Sequence, residues 1–121
     1  MCIRDRNSFG SIDADKALAI VDLDIYAAGL NFVFGEARCP GKFCIISTYR
    51  LYPQFYGMPW DPDLFMSRLR KEAIHELGHT FGLMHCRNPR CVMAFSNCMA
   101  DTDAKSDKFC EGCLRRLRRA L

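Results

Sequence analysis

Apolar positions follow two different spacings along the chain. "KALAIVDLDIY" opens with a short apolar run, Ala17–Val21, and then alternates, which reads as a buried strand. "AAG" at 27–29 reads as a turn. "LNFVFGEA", residues 30–37, is rich in aromatic and branched side chains and reads as a second strand. "CPGK" at 39–42 places Pro and Gly to reverse the chain. "FCIISTYRL", residues 43–51, is then a third strand, hairpin-paired to the second. An aromatic loop, "YPQFYGMPW", follows.

From residue 61 the spacing becomes helical. Asp61 can cap, Pro62 fits the first helical position, and Asp63 complements the positive end of the dipole. The helix is expected to run to about Phe81, with Gly82 as a left-handed exit. Phe65, Leu69, Ala73 and Leu77 share a face that should pack on the sheet, leaving Arg68, Lys71 and Glu72 solvated. Beyond Gly82 the pattern is irregular until a short final helix around "EGCLRRLRRAL". "MCIRDRN" has no periodicity, so residues 1–12 read as a non-native or disordered leader and 13–121 as one partial domain.

The chain has 121 residues, half of them hydrophobic, enough for one domain with a modest core. Its net charge of +3 is concentrated in the closing "RRLRRAL", which reads as a solvated helix face and not as a nucleic-acid contact. No apolar run is long enough to cross a membrane, and the N-terminus lacks a secretory pattern. The eight cysteines therefore read as reduced thiols of a cytoplasmic protein, available to metals; the competing reading is a disulfide-stapled secreted domain.

The chemistry centres on "HELGHTFGLMHCRNPRCVM", residues 75–93. His75 and His79, four apart on a helix, project from one face and can share one zinc ion. Glu76 lies one position on, close to that metal but outside its ligands, where a general base for water is needed. The plainer reading is a polar helix face with two unrelated histidines. Gly82 and His85 argue against it, because a glycine turn can bring a third imidazole to the open side of the metal. "HELGHTFGLMH" is the metzincin signature, and it contains every histidine of the chain. Three nitrogen ligands leave a fourth position open, as in catalytic zinc sites.

The cysteines form a second pattern. Cys86 and Cys91 are separated by four residues and Cys110 and Cys113 by two, with eighteen between the pairs. Two close pairs across a short loop make a four-thiolate structural zinc site; buried free thiols or a disulfide are the plainer alternatives. Cys39 and Cys44 read as an exposed turn thiol and a small hydrophobe, with a third metal as the lesser reading. Cys98 carries no evident role.

These segments, with "FCEGC", "FYGMPWDPDLF" and "FSN", resemble the archaemetzincin family over residues 15–121. The resemblance implies a zincin-like, metzincin α+β (mixed α/β) domain: a twisted mixed sheet packed on an active-site helix, followed by the four-cysteine zinc segment. It further implies that N-terminal strands and helices of the family domain are missing, that Met93 forms a methionine turn beneath the three-histidine metal, and that residues 30–37 run antiparallel to bound peptide.

The expected function is a zinc-dependent metallopeptidase with two Zn2+ per chain. His75, His79 and His85 hold the catalytic ion and Cys86, Cys91, Cys110 and Cys113 the structural one. Glu76 acts as general base on the activated water. Tyr49, Tyr52, Tyr56 and Lys105 are candidates for stabilising the oxyanion. The expected partner is a peptide or protein substrate, with no nucleic acid, no membrane and a monomeric chain. The alternative is a zinc-bound interaction module without useful turnover, which would have no use for Glu76.

Overall fold

The structure, a computed structural model, describes residues 15–26 and 32–121. The expected leader at 1–12, Cys2, the turn at 27–29 and the first two residues of the expected second strand lie outside the described residues. Five strands are described: β1 (Ala17–Val21), β2 (Ile25–Tyr26), β3 (Phe32–Val33), β4 (Gly35–Ala37) and β5 (Phe43–Ser47). Three α-helices follow, α1 (Pro62–Thr80), α2 (Met99–Ala104) and α3 (Glu111–Ala120). A 3-10 turn, Pro53–Tyr56, sits in the aromatic loop.

The main sheet is mixed and has the order β1-β5-β4. β1 runs parallel to β5, and β4 runs antiparallel to it through the expected hairpin. β5 takes the centre because its side chains are the most apolar: Cys44, Ile45 and Ile46 are all buried. β2 and β3 make a small antiparallel pair of their own. The expected second strand is thus broken at Phe34, whose carbonyl accepts from Ser47 N–H at 2.9 Å. The expected third strand stops at Ser47, where the Ser47 hydroxyl turns to the Leu23 carbonyl. Arg50 then ties this turn to the start of β2: its guanidinium makes two 2.9 Å bonds to Asp24 and lies 3.7 Å from the Phe32 ring centre.

α1 begins as the sequence predicts. Asp61 Oδ1 accepts from Leu64 N–H at 3.1 Å, and Pro62 occupies the first turn. The helix packs on β4 and β5. Phe65 and Leu69 pack against Phe34, Leu51 and Met99 in one apolar cluster, and all four residues of the expected face, with Ala73 and Leu77, are half-buried. Arg68, Lys71 and Glu72, expected to be solvated, are buried instead. Charged side chains are buried only when paired, and α2 supplies the partners. Arg68 forms a two-bond fork to Asp103 at 2.9 and 2.8 Å and donates to the Leu51 carbonyl at 3.0 Å. Lys71 Nζ donates to the Thr102 and Asp103 carbonyls, and Thr102 Oγ1 donates to Glu72 at 3.2 Å. α2 was not visible in the hydrophobic pattern because Met99 is its one large apolar residue and the rest of its contact with α1 is polar.

The far end of α1 is held against the sheet. Lys16 Nζ donates to the Gly41 and Thr80 carbonyls at 2.6 and 2.8 Å. Gly82 then turns the chain with φ +92, as expected of a left-handed exit. No helix among the described residues is long and apolar enough to cross a membrane.

Candidate metal centres and cleft

The sequence brings two donor clusters together at the end of α1. In each, one donor atom per residue lies within 4.8 Å of all the others: His75, His79 and His85 in one, and Cys86, Cys91, Cys110 and Cys113 in the other. The clusters meet at the peptide bond between His85 and Cys86.

His75 and His79 stand one helical turn apart, with ring centres 4.7 Å apart. The turn at Gly82 carries His85 across to them, at 5.4 Å from His75 and 4.9 Å from His79. Two rings are oriented from behind by backbone carbonyls. His75 Nδ1 lies 2.8 Å from the Val92 carbonyl oxygen and His79 Nδ1 2.7 Å from that of Leu83. A proton on each Nδ1 leaves Nε2 as a free lone pair, the arrangement that metal-binding histidines take. The two Nε2 atoms face each other at 3.2 Å. Ligands about 2.05 Å from a tetrahedral ion are about 3.3 Å apart, so these rings fit zinc without rearrangement. Burial lowers the pKa of all three imidazoles, His75 to about 3, so each is neutral and ready to bind.

Glu76 lies on the same stretch of helix and lines the same cleft. Burial, and then the neighbouring Glu72 carboxyl, push its pKa up to about 8. The cleft has a volume of about 510 Å³. Phe32, Val33 and Phe34 line it along the β3–β4 edge, and Met84 and Phe95 from the other side. The Phe95 ring lies 5.1 Å from that of His85.

Met93 is fully buried, and a Cβ placed on Gly78 would come within 2.5 Å of its sulfur. The methionine thus sits directly against the bare backbone of α1 between His75 and His79. Of the four residues considered for oxyanion stabilisation, only Lys105 lines the cleft. Its ammonium lies behind the His75 ring, 3.5 Å from Nδ1, and donates to the Ala94 carbonyl at 2.9 Å. Tyr56 donates to the Arg50 carbonyl, Tyr52 stacks on Phe65, and Tyr49 packs on Phe55.

The cysteine cluster is enclosed where the histidine cluster is open. Cys91 and Cys113 are buried in a core with Leu83, Val92 and Met93, against which Ile74, Phe109 and Leu117 pack. Backbone N–H groups point at the sulfurs: Met93 and Cys110 donate to Cys91, and Asn88 to Cys86. Such donors favour thiolates. The N–H of Cys113 helps to bring Cys110 down to about 7, whereas burial holds Cys91 and Cys113 up. The Cys86 and Cys110 sulfurs lie 3.7 Å apart. Four thiolates about 2.3 Å from one zinc ion would be about 3.8 Å apart. Cys39 and Cys98 are exposed and Cys44 is buried; among the described residues none of the three belongs to a metal cluster.

Sequence reasoning missed the two carbonyls that orient the rings, the Phe95 wall, and Gly35, which lies against Glu76. Only the last had a visible signal, a glycine inside a strand.

The model of peptidase family M54 matches residues 3–119. An archaemetzincin of Pyrococcus abyssi is 57% identical over 109 residues, covering 90% of this chain and 58% of that protein. The crystal structure of an archaemetzincin from Methanopyrus kandleri superposes with a TM-score of 0.83 at 43% identity, covering 94% of this chain and 61% of that one. A zinc-dependent peptidase from Methanocorpusculum labreanum gives 0.82 at 37% identity, covering 93% of this chain and 58% of that one. The chain thus spans about six-tenths of the length of these relatives.

Proposed function

The chain belongs to peptidase family M54, and on that premise we propose that it carries the catalytic centre of a zinc-dependent metallopeptidase. The observation that carries this reading is the set of three imidazoles whose donor atoms lie within 4.8 Å of one another, opening into a cleft that Glu76 also lines.

His75, His79 and His85 would hold the catalytic zinc, and Cys86, Cys91, Cys110 and Cys113 a second, structural one. The catalytic ion supplies Lewis acidity towards a peptide carbonyl and towards water. The remaining work falls to the chain. The Val92 and Leu83 carbonyls fix the tautomers of His75 and His79. Glu76, whose raised pKa lies near neutrality, acts in its ionised form: it takes the proton of the attacking water and returns it to the leaving amine. β4 is an edge strand beside the cleft, so an extended peptide can add to it by backbone hydrogen bonds. The substrate is therefore a peptide or protein chain. All the described cysteines are free, which suits zinc-binding thiols in the cytoplasm.

Replacing Glu76 with Gln tests the mechanism. Zinc content should stay the same while kcat for peptide cleavage falls by about 100- to 10,000-fold. Equal cleavage by both forms would remove Glu76 as the base. Absence of cleavage by the zinc-loaded parent across a broad peptide library would favour a binding module over a peptidase.

A further inference from the structure

We infer that Gly35 is a positioning residue for Glu76: the missing side chain at this strand position leaves the room that the carboxylate occupies. The inference rests on the peptidase reading for its functional meaning and on geometry for its substance. Gly35 opens β4, pairs with Ile46 of β5, and lines the cleft. A Cβ built there would come within 2.9 Å of both Cγ and Oε2 of Glu76, and within 2.7 Å of the Ile45 carbonyl oxygen. Carbon does not approach either atom so closely without displacing it. Gly35 has no positive φ, so its backbone does not require glycine. The requirement is space.

Two consequences follow from the contact. The strand that is placed to receive peptide and the group placed to move the proton are in van der Waals register, with no side chain between them. A residue larger than glycine collides with the carboxylate, and a base misplaced by about 1 Å can lose about 100-fold in rate. The Ile45 contact is a confounder, because it would destabilise a Gly35→Ala chain without involving Glu76.

A double-mutant cycle on the zinc-loaded chain separates the two. Gly35→Ala should lower the thermal midpoint by roughly 5 to 15 °C in the parent. In a Glu76→Ala background, where the colliding atoms are gone, the same change should cost less than half as much. Equal cost in both backgrounds overturns the inference and leaves the Ile45 carbonyl as the whole reason for glycine. If Gly35→Ala alone does not fold, recovery of a folded Gly35→Ala/Glu76→Ala chain supports the inference, and failure to recover it overturns it. Kinetics supply the functional arm: Gly35→Ala should lower kcat about 100-fold, with KM and zinc content nearly unchanged. A parent that binds zinc but cleaves nothing would sink the peptidase reading, while the thermal cycle would still decide the contact.

Discussion

The two donor clusters share one stretch of chain and differ in almost everything that surrounds them. Both bring their donor atoms within 4.8 Å of one another, and consecutive residues, His85 and Cys86, belong one to each. The histidines line an open cleft of about 510 Å³. Cys91 and Cys113 are buried in a core with Leu83, Val92 and Met93, and the half-buried Cys86 and Cys110 pack against it. The histidine rings are aimed by carbonyls behind them, whereas the sulfurs receive N–H groups of the loop they fold. Around one zinc ion, three nitrogens would leave a place for a reactant, and four sulfurs would leave none. Ligand type and enclosure together, more than ligand spacing, distinguish a site for chemistry from a site for folding.

The clusters are also mechanically joined. Val92, whose carbonyl orients His75, follows Cys91 directly. Phe109, which precedes Cys110, lies with Met93 against Gly78 between the two helical histidines. The Cys86 N–H donates to the Met93 carbonyl at 2.9 Å. Cys86, Cys91 and Cys110 are each a chain neighbour of a group that touches the histidine site or its supports.

Removing one ligand from each cluster should separate their roles most strongly. Cys91→Ser and His79→Ala should each lower zinc from two ions to one per chain by elemental analysis. The cysteine change should also lower the thermal midpoint by more than about 20 °C, because a structural zinc site contributes folding energy outright. The histidine change should lower it by less than about 8 °C. Equal shifts would mean that the clusters do not divide these roles.

A smaller effect separates them by pH. Burial holds the Cys91 and Cys113 thiols above their usual range, so zinc must displace their protons. Affinity of the cysteine cluster should then rise about tenfold or more per unit between about pH 6 and 8. The histidines have lowered pKa values and are already neutral there. In a Glu76→Gln background, which removes the raised carboxyl beside them, their zinc affinity should change less than about threefold over the same range. Competition titrations with a chelator at stepped pH measure both slopes.

The smallest effect concerns the cleft wall. Phe95 is 58% exposed although its ring lies on His85. Phe95→Ala should change stability by less than about 1 kcal/mol in denaturant unfolding and zinc affinity by less than about threefold. A larger loss would make Phe95 a support of His85.

Much of this was legible in the sequence because ligand chemistry and turn chemistry are local. His75 and His79 declare a shared face by their spacing, Gly82 declares the turn, and the cysteine pairs declare a loop closed on itself. Asp61 and Pro62 set the start of α1 for equally local reasons. Tertiary pairing was not legible. Arg68, Lys71 and Glu72 look solvated by residue type, and only the approach of α2 makes their burial tolerable. Likewise Lys105, one of four oxyanion candidates by type, turns its ammonium to the rear of His75. A backbone carbonyl such as that of Val92 has no sequence signature at all.

If the cysteine cluster supports the histidine cluster, loss of one sulfur must weaken zinc binding at the histidines. Cys86→Ser removes a half-buried sulfur at the edge of the cysteine cluster, where water can take its place as it cannot at the buried Cys91, so the three remaining thiolates would retain a structural ion. The decisive measurement is the zinc affinity of the three-histidine site in this variant, by competition titration, with the fold checked by circular dichroism. The expected result is an affinity 10- to 100-fold weaker, about the cost of losing a group that orients a metal ligand, with the fold retained. Affinity unchanged within about twofold would contradict the coupling and leave the two clusters as independent neighbours.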